Sequence, residues 1–223
     1  MAQTATFQDG VSGDGTFKDG HLYSVGTKGG NATTGSIGFV SAMGGTTVYR
    51  YILQMGLDEI PDNAIVTSGV LTLNISSAAS GTSSTLQVIR SSETDWTESG
   101  SYPTNAAKDG SNNWSAAGGS IDSTVTTTCG IFPTSTGSHD IDITPLVRDA
   151  IENRSKVLNI VLKDSTESGG SPDSFNIKTG DNSTTADRPK LTVKYVEGGG
   201  SSGKTRSFAA RSMGRSTRRR SFR

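Results

Sequence analysis

The sequence predicts an all-β protein: a jelly-roll β-sandwich with one short helix and a flexible basic C-terminal tail. Three observations lead there. Apolar residues recur at every second position, clusters of Gly, Ser, Asn and Asp separate the apolar stretches, and only one segment has helical spacing. A strand that buries one face in a sandwich core shows this period of two, because successive side chains point to opposite sides of the sheet.

In chain order, strands are expected at 21–25, 36–42 and 47–55, and then where Leu71, Leu73 and Ile75 alternate with Thr72 and Asn74. Further strands are expected at 84–91, through Leu158, Ile160 and Leu162, at 174–178, and through Leu191, Val193 and Tyr195. The helical segment runs from Thr144 to Glu152: Thr144 can cap it, Pro145 suits the first helical position, and Val147, Ala150 and Ile151 line one face. Between them, 92–138 is long and polar, with isolated Trp96, Tyr102 and Trp114, and is expected to hold loops and one or two irregular strands. Many strands and one helix fit two sheets packed face to face.

Composition narrows the class. The 223 residues are 31% hydrophobic, 6% aromatic and 19% charged, with 28 glycines, well under the ~45% apolar content of an average globular domain. A single core is therefore expected, at about 150 residues per domain. No apolar run approaches the ~18 residues of a membrane span, and the first ten residues lack a basic and then apolar leader, so no membrane segment and no ordinary secretion signal are expected. One cysteine, Cys129, forms no internal disulfide, and two histidines leave little for a zinc site.

The net charge of zero conceals an asymmetry. Eight of the 21 basic residues and no acid fall in 204–223, which leaves 13 basic against 21 acidic residues before it, about −8. Three regions follow: a sandwich domain at 1–196, a Gly/Ser linker at 197–203, and an Arg-rich tail at 204–223. The tail residues Lys204, Arg206, Arg211, Arg215, Arg218, Arg219, Arg220 and Arg223 are the candidate partner-binding groups. Arginine's planar, permanently charged fork suits phosphate or carboxylate, so the partner is expected to be acidic protein or nucleic acid.

Other candidate sites are sparser. Asp9, Asp14 and Asp19 lie on a glycine-rich stretch and offer oxygen ligands suited to calcium, with Asx-turns as the competing account. Trp96, Tyr102 and Trp114 could present flat faces to a glycan, or could plug the end of the sandwich. The pairs Asp140 with Asp142, Glu93 with Asp95, and Asp58 with Glu59 resemble what a glycosidase needs, but any acidic β-protein has such pairs. No catalytic residue and no cofactor beyond that calcium are expected.

Several short motifs occur in a telling order. Tyr49-Arg50-Tyr51 precedes Ile60-Pro61-Asp62-Asn63-Ala64-Ile65, then come Asp95-Trp96-Thr97-Glu98, Asp140-Ile141-Asp142-Ile143-Thr144, and a closing Arg188-Pro189-Lys190-Leu191-Thr192-Val193-Lys194-Tyr195. Across about residues 4–196 this resembles the DNRLRE-domain family, extracellular β-sandwich modules related to carbohydrate-binding modules and also found in surface and phage proteins. The helix here has no Trp, and 175–180 lacks the family's Ser-x-Glu element. An extracellular-looking sandwich without a leader suggests a virion protein, assembled in the host cytoplasm. The leading expectation is a phage capsid decoration or fibre-like surface protein, homo-oligomeric, its tail on a major capsid protein or packaged nucleic acid. The alternative is an extracellular carbohydrate-binding module or viral receptor binder; a polysaccharide-degrading enzyme comes third.

Overall fold

The structure, a computed structural model, describes residues 1–11, 16–24, 32–42, 45–81, 84–98, 103–109, 111–167 and 173–198. Asp14, Tyr102, positions 199–203 of the linker and all eight tail cations lie outside the described residues.

The described residues are all-β apart from one α-helix and a 3-10 turn. The strands are β1 (Ala2–Gln8), β2 (Lys18–Tyr23), β3 (Thr34–Ala42), β4 (Gly45–Gly56), β5 (Ala64–Ser77), β6 (Thr85–Ser91), β7 (Ile121–Ile131) and β8 (Gly137–Asp142). After the helix α1 (Thr144–Asn153) come β9 (Val157–Asp164), β10 (Asp173–Lys178), the turn Thr185–Asp187 and β11 (Lys190–Glu197). Neighbours run β1-β11-β5-β10-β3-β4-β9-β6-β7, with β2 added to β4 and β8 to β5. Every pairing is antiparallel.

The two longest strands make the sheet curl. Along β4, pairing passes from β3 at 45–49 to β9 at 51–56, and along β5 it passes from β11 at 64–72 to β10 at Ile75 and Ser77. Strand twist accumulates across such handovers, so the inner face wraps round a main core that includes Phe7, Leu53, Leu73, Val88, Leu162, Phe175 and Leu191.

The polar stretch after β6 has a definite place. Trp96 and Trp114 join Leu22 of β2, Ile52 of β4, Ile89 of β6 and Val161 of β9 in a second, smaller core. These residues alternate with main-core neighbours such as Tyr51, Leu53, Ile160 and Leu162, so the segment between β6 and β7 roofs the outer face of this part of the sheet. Strand β9 is therefore buried at every position from Leu158 to Asp164, although its sequence alternates like a strand with one wet face. The roof then runs into β7, an 11-residue edge strand whose pairing with β6 shifts register twice, which agrees with the irregular strand expected in this stretch.

The helix begins one residue differently from the expected capping scheme. Ile143 is the N-cap residue and makes no side-chain cap. The Thr144 hydroxyl instead accepts the Gly69 amide at 2.9 Å and donates to Asp142 Oδ1 at 2.6 Å, so it joins the helix start to β5. Leu146, Val147 and Ala150 are the buried face, with Ile151 half-buried; the helix packs on β5, β7 and β9.

Candidate functional site

Three carboxylates far apart in sequence converge beside β2. Asp19 lies on β2, in register with Leu53 of β4, and is wholly buried. Its Oδ2 accepts hydrogen bonds from the Tyr51 hydroxyl and the Gly180 amide, while its Oδ1 is buried with no hydrogen-bond partner. Its amide donates to Glu98 Oε1 at 3.1 Å. Asp181 follows Gly180 in the turn after β10, and its Oδ2 is likewise buried and unpartnered. One carboxylate oxygen from each of Asp19, Glu98 and Asp181 lies within 4.8 Å of the other two.

Neighbouring residues fix this arrangement. Lys18 donates through Nζ to the carbonyls of Thr94 at 3.1 Å and Trp96 at 2.9 Å, and its ammonium stands 5.0 Å over the Trp96 ring. This fastens the segment carrying Glu98 to the residue next to Asp19. At Gly180 the approach is too close for a side chain: a Cβ would stand 2.6 Å from the Phe17 ring and 2.8 Å from Asp19 Oδ2.

The electrostatics follow from burial. Desolvation pushes the Asp19 carboxyl up to about 8, helped by the charges of Glu98 and Asp181 and opposed by the hydrogen bonds from Tyr51 and Gly180. Glu98 and Asp181 are also shifted up, each chiefly by burial. Tyr51 is driven well above its ordinary value by burial and by Asp19's charge. Lys18, Asp9 and Arg188 are the charged groups around the cluster.

Of the three aspartates expected to bind calcium, Asp19 belongs to this cluster and Asp9, the other described one, does not. Asp9 forms an ion pair with Arg188, Oδ2 to Nη1 at 2.7 Å, and Asp14 lies outside the described residues. Glu98 and Asp181 were not legible as ligands, since 79 and 162 residues separate them from Asp19; no spacing rule spans such gaps. The only signal was the acid closing each of Trp96-Thr97-Glu98 and Gly180-Asp181.

The indoles weighed as sugar platforms or as plugs are inside the protein. Trp96 is 2% and Trp114 5% exposed, with Nε1 groups donating to Asn159 Oδ1 at 3.2 Å and the Thr104 carbonyl at 2.8 Å. The physical reason is the apolar outer face formed by Leu22, Ile52, Ile89 and Val161, which two indoles cover. Tyr102 lies outside the described residues.

Two of the three carboxylate pairs, Glu93 with Asp95 and Asp140 with Asp142, are held in hydrogen bonds or ion pairs. Against the burial that would raise it, hydrogen bonds from Ser115, Ser120 and Lys108 hold Glu93 down at about 2, and Lys108 also pairs with Asp95 at 2.8 Å. Asp140 accepts the Thr72 hydroxyl and Asp142 accepts from Thr144. A cavity of about 300 Å³ beside α1 is lined by Arg90, Asp149, Arg154 and Asn159; there Arg90 is paired with Asp149 at 2.6 Å and also with Asp122.

The described chain contains no helix long and apolar enough to cross a membrane. No known family model matches the sequence, and no curated protein matches it.

Proposed function

We propose that this protein is a non-enzymatic structural component of a virion, most simply a phage capsid decoration or fibre-like surface protein. Its curled sheet is read as a jelly-roll sandwich that stands outward, and its basic tail docks on an acidic capsid protein or on packaged nucleic acid. The observation that carries this reading is the division of charge between a body of about −8 and a tail of eight cations without an acid. Such a tail gains most of its affinity from a densely anionic surface and repeats that gain in every copy of an oligomer.

The way the chain leaves the body supports a tethering role. Strand β11 runs to Glu197, and Gly198 is held by a two-way clasp: its amide donates to the Asn63 carbonyl at 2.9 Å and its carbonyl accepts Asn63 Nδ2 at 2.8 Å. A load on the tail would therefore be transmitted into a central strand, paired with both β1 and β5. The resemblance to the DNRLRE-domain family, which includes surface and phage proteins, agrees with an outward-facing module. A sugar-binding role built on Trp96 or Trp114 would require that indole to leave the second core.

The test is co-sedimentation with purified particles across a salt series. The full chain is expected to bind at low salt and release as salt rises, and protein lacking 204–223 is expected to stay in the supernatant. Equal binding by the tail-less protein overturns the reading.

A further inference from the structure

We propose that Asp19, Glu98 and Asp181 form a calcium site that staples three distant segments of the chain together. The segments are β2, the start of the roof after β6, and the turn between β10 and β11. This inference is independent of the proposed virion role.

The geometry points to an ion held by oxygen. Calcium binds oxygens at about 2.3–2.6 Å, so two ligands on opposite sides of it stand up to about 4.6–5.2 Å apart. The three carboxylate oxygens lie within 4.8 Å of one another, inside that span. A cluster of acids alone would not make a site, but the unsatisfied atoms add an independent observation. Asp19 is 0% exposed; its Oδ2 is already taken by Tyr51 and Gly180, and its Oδ1 is sealed from water with no donor. Asp181 Oδ2 is in the same condition. Burying a carboxylate oxygen without a partner costs several kcal/mol in general, and placing further carboxylates beside it adds repulsion. A divalent cation removes both penalties at once.

The chemistry selects the class of ion. The donors are carboxylates with no His or Cys among them, which disfavours zinc and copper. They come from a strand and two loop segments, so they form an irregular half-shell. Calcium tolerates such a shell with waters completing it, whereas magnesium demands near-octahedral geometry. The same analysis explains why Gly180 presents its amide to Asp19 Oδ2: that bond orients the carboxylate and leaves the other oxygen for the ion.

The test uses the full chain, stripped with a chelator. Calcium chloride is expected to raise the thermal unfolding midpoint in a saturable way, with magnesium giving a smaller shift at equal concentration. Terbium, a calcium surrogate, is expected to give sensitised luminescence from Trp96, two residues from Glu98. Asp181→Asn and Glu98→Gln keep shape and hydrogen-bonding capacity while removing charge. Each is expected to fold, to be at least as stable as wild type without calcium, and to bind calcium at least tenfold more weakly. The proposal is overturned if calcium leaves the wild-type midpoint unchanged and terbium stays dark, or if both variants respond to calcium as wild type does. It is also overturned if magnesium and calcium act equally, since the shell is then not selective for calcium.

Discussion

At the scale of single residues, close approach decides more than propensity. Gly119 has φ +94°, and a Cβ there would stand 2.8 Å from Leu22 Cδ1 and 3.0 Å from Val161 Cγ2. The roof can therefore rest on β2 and β9 only if this position lacks a side chain. Gly119→Ala is expected to destabilise the fold by about 1–3 kcal/mol in urea unfolding, through left-handed strain and displacement of the second core. A change at or below the scatter of surface mutations would show that the roof does not need this contact. Asp19 illustrates how far residue-level reading reaches. Its type and its place on a glycine-rich stretch were visible in the sequence, where the carboxylates before it along the chain are Asp9 and Asp14. The fold brings Glu98 and Asp181 beside it, because a strand residue meets whatever loops cross its end, regardless of their place in the sequence.

At the scale of elements, Arg90 joins three of them. It ends the regular part of β6, where the pairing with β7 shifts register between Ile89 and Arg90, and it reaches Asp149 of α1 and Asp122 of β7. Arg90 and Asp149 have side chains only 10% exposed, so removing the arginine leaves a poorly hydrated carboxylate with only the Asn153 amide at 3.1 Å and the half-exposed Arg154 at 3.6 Å among the described residues. Arg90→Leu is expected to cost about 3 kcal/mol or more, read from the midpoint of chemical unfolding, and the double variant Arg90→Leu with Asp149→Leu should recover part of it. An additive double mutant would mean that the ion pair does not couple helix to sheet. Most strands were legible at this scale: the alternation at Leu71–Ile75 and Leu191–Tyr195 names β5 and β11, and Pro145 marks α1. Three strands were not. In β1 the buried positions are Ala5, Phe7 and Gln8, too few for a period to stand out. Edge strand β7 exposes most of its Thr- and Ser-rich length, so little apolar alternation is written into it. Strand β8 was visible only through its resemblance to a family motif, since Ile141 is its sole buried residue.

At the scale of the whole molecule, the clustered acids make stability depend on pH in a definite direction. With calcium stripped away, folded Asp19 keeps its proton up to about 8, whereas the unfolded chain releases it near the ordinary 3.8. Folding therefore takes up a proton between these values, and raising the pH through that window weakens the fold. Glu98 and Asp181 act in the same direction. Glu93 acts oppositely: held at about 2 against an ordinary 4.5, it contributes stability that is lost as pH falls below about 4.5. The unfolding midpoint of stripped protein is expected to decline from about pH 5 to 8, and Asp181→Asn should flatten that decline. A midpoint that rises across this range would contradict the protonation assigned to Asp19. The charge division was legible from composition alone, because it depends only on counting residues along the chain. The curl of the sheet was not, since it arises from β4 and β5 changing partners midway.

The roof over the second core also sets the order in which the protein would open. Strand β9 has β4 and β6 on its two edges and apolar layers above and below, so water reaches its amides only after neighbouring structure has parted. Those amides would trade hydrogen for deuterium on the timescale of global unfolding. The β1 edge, bordered on one side only, would exchange sooner through local opening. Fluctuation would then be concentrated at the β1 rim, leaving the strand bundle beneath the tryptophans as the slowest part of the molecule to breathe.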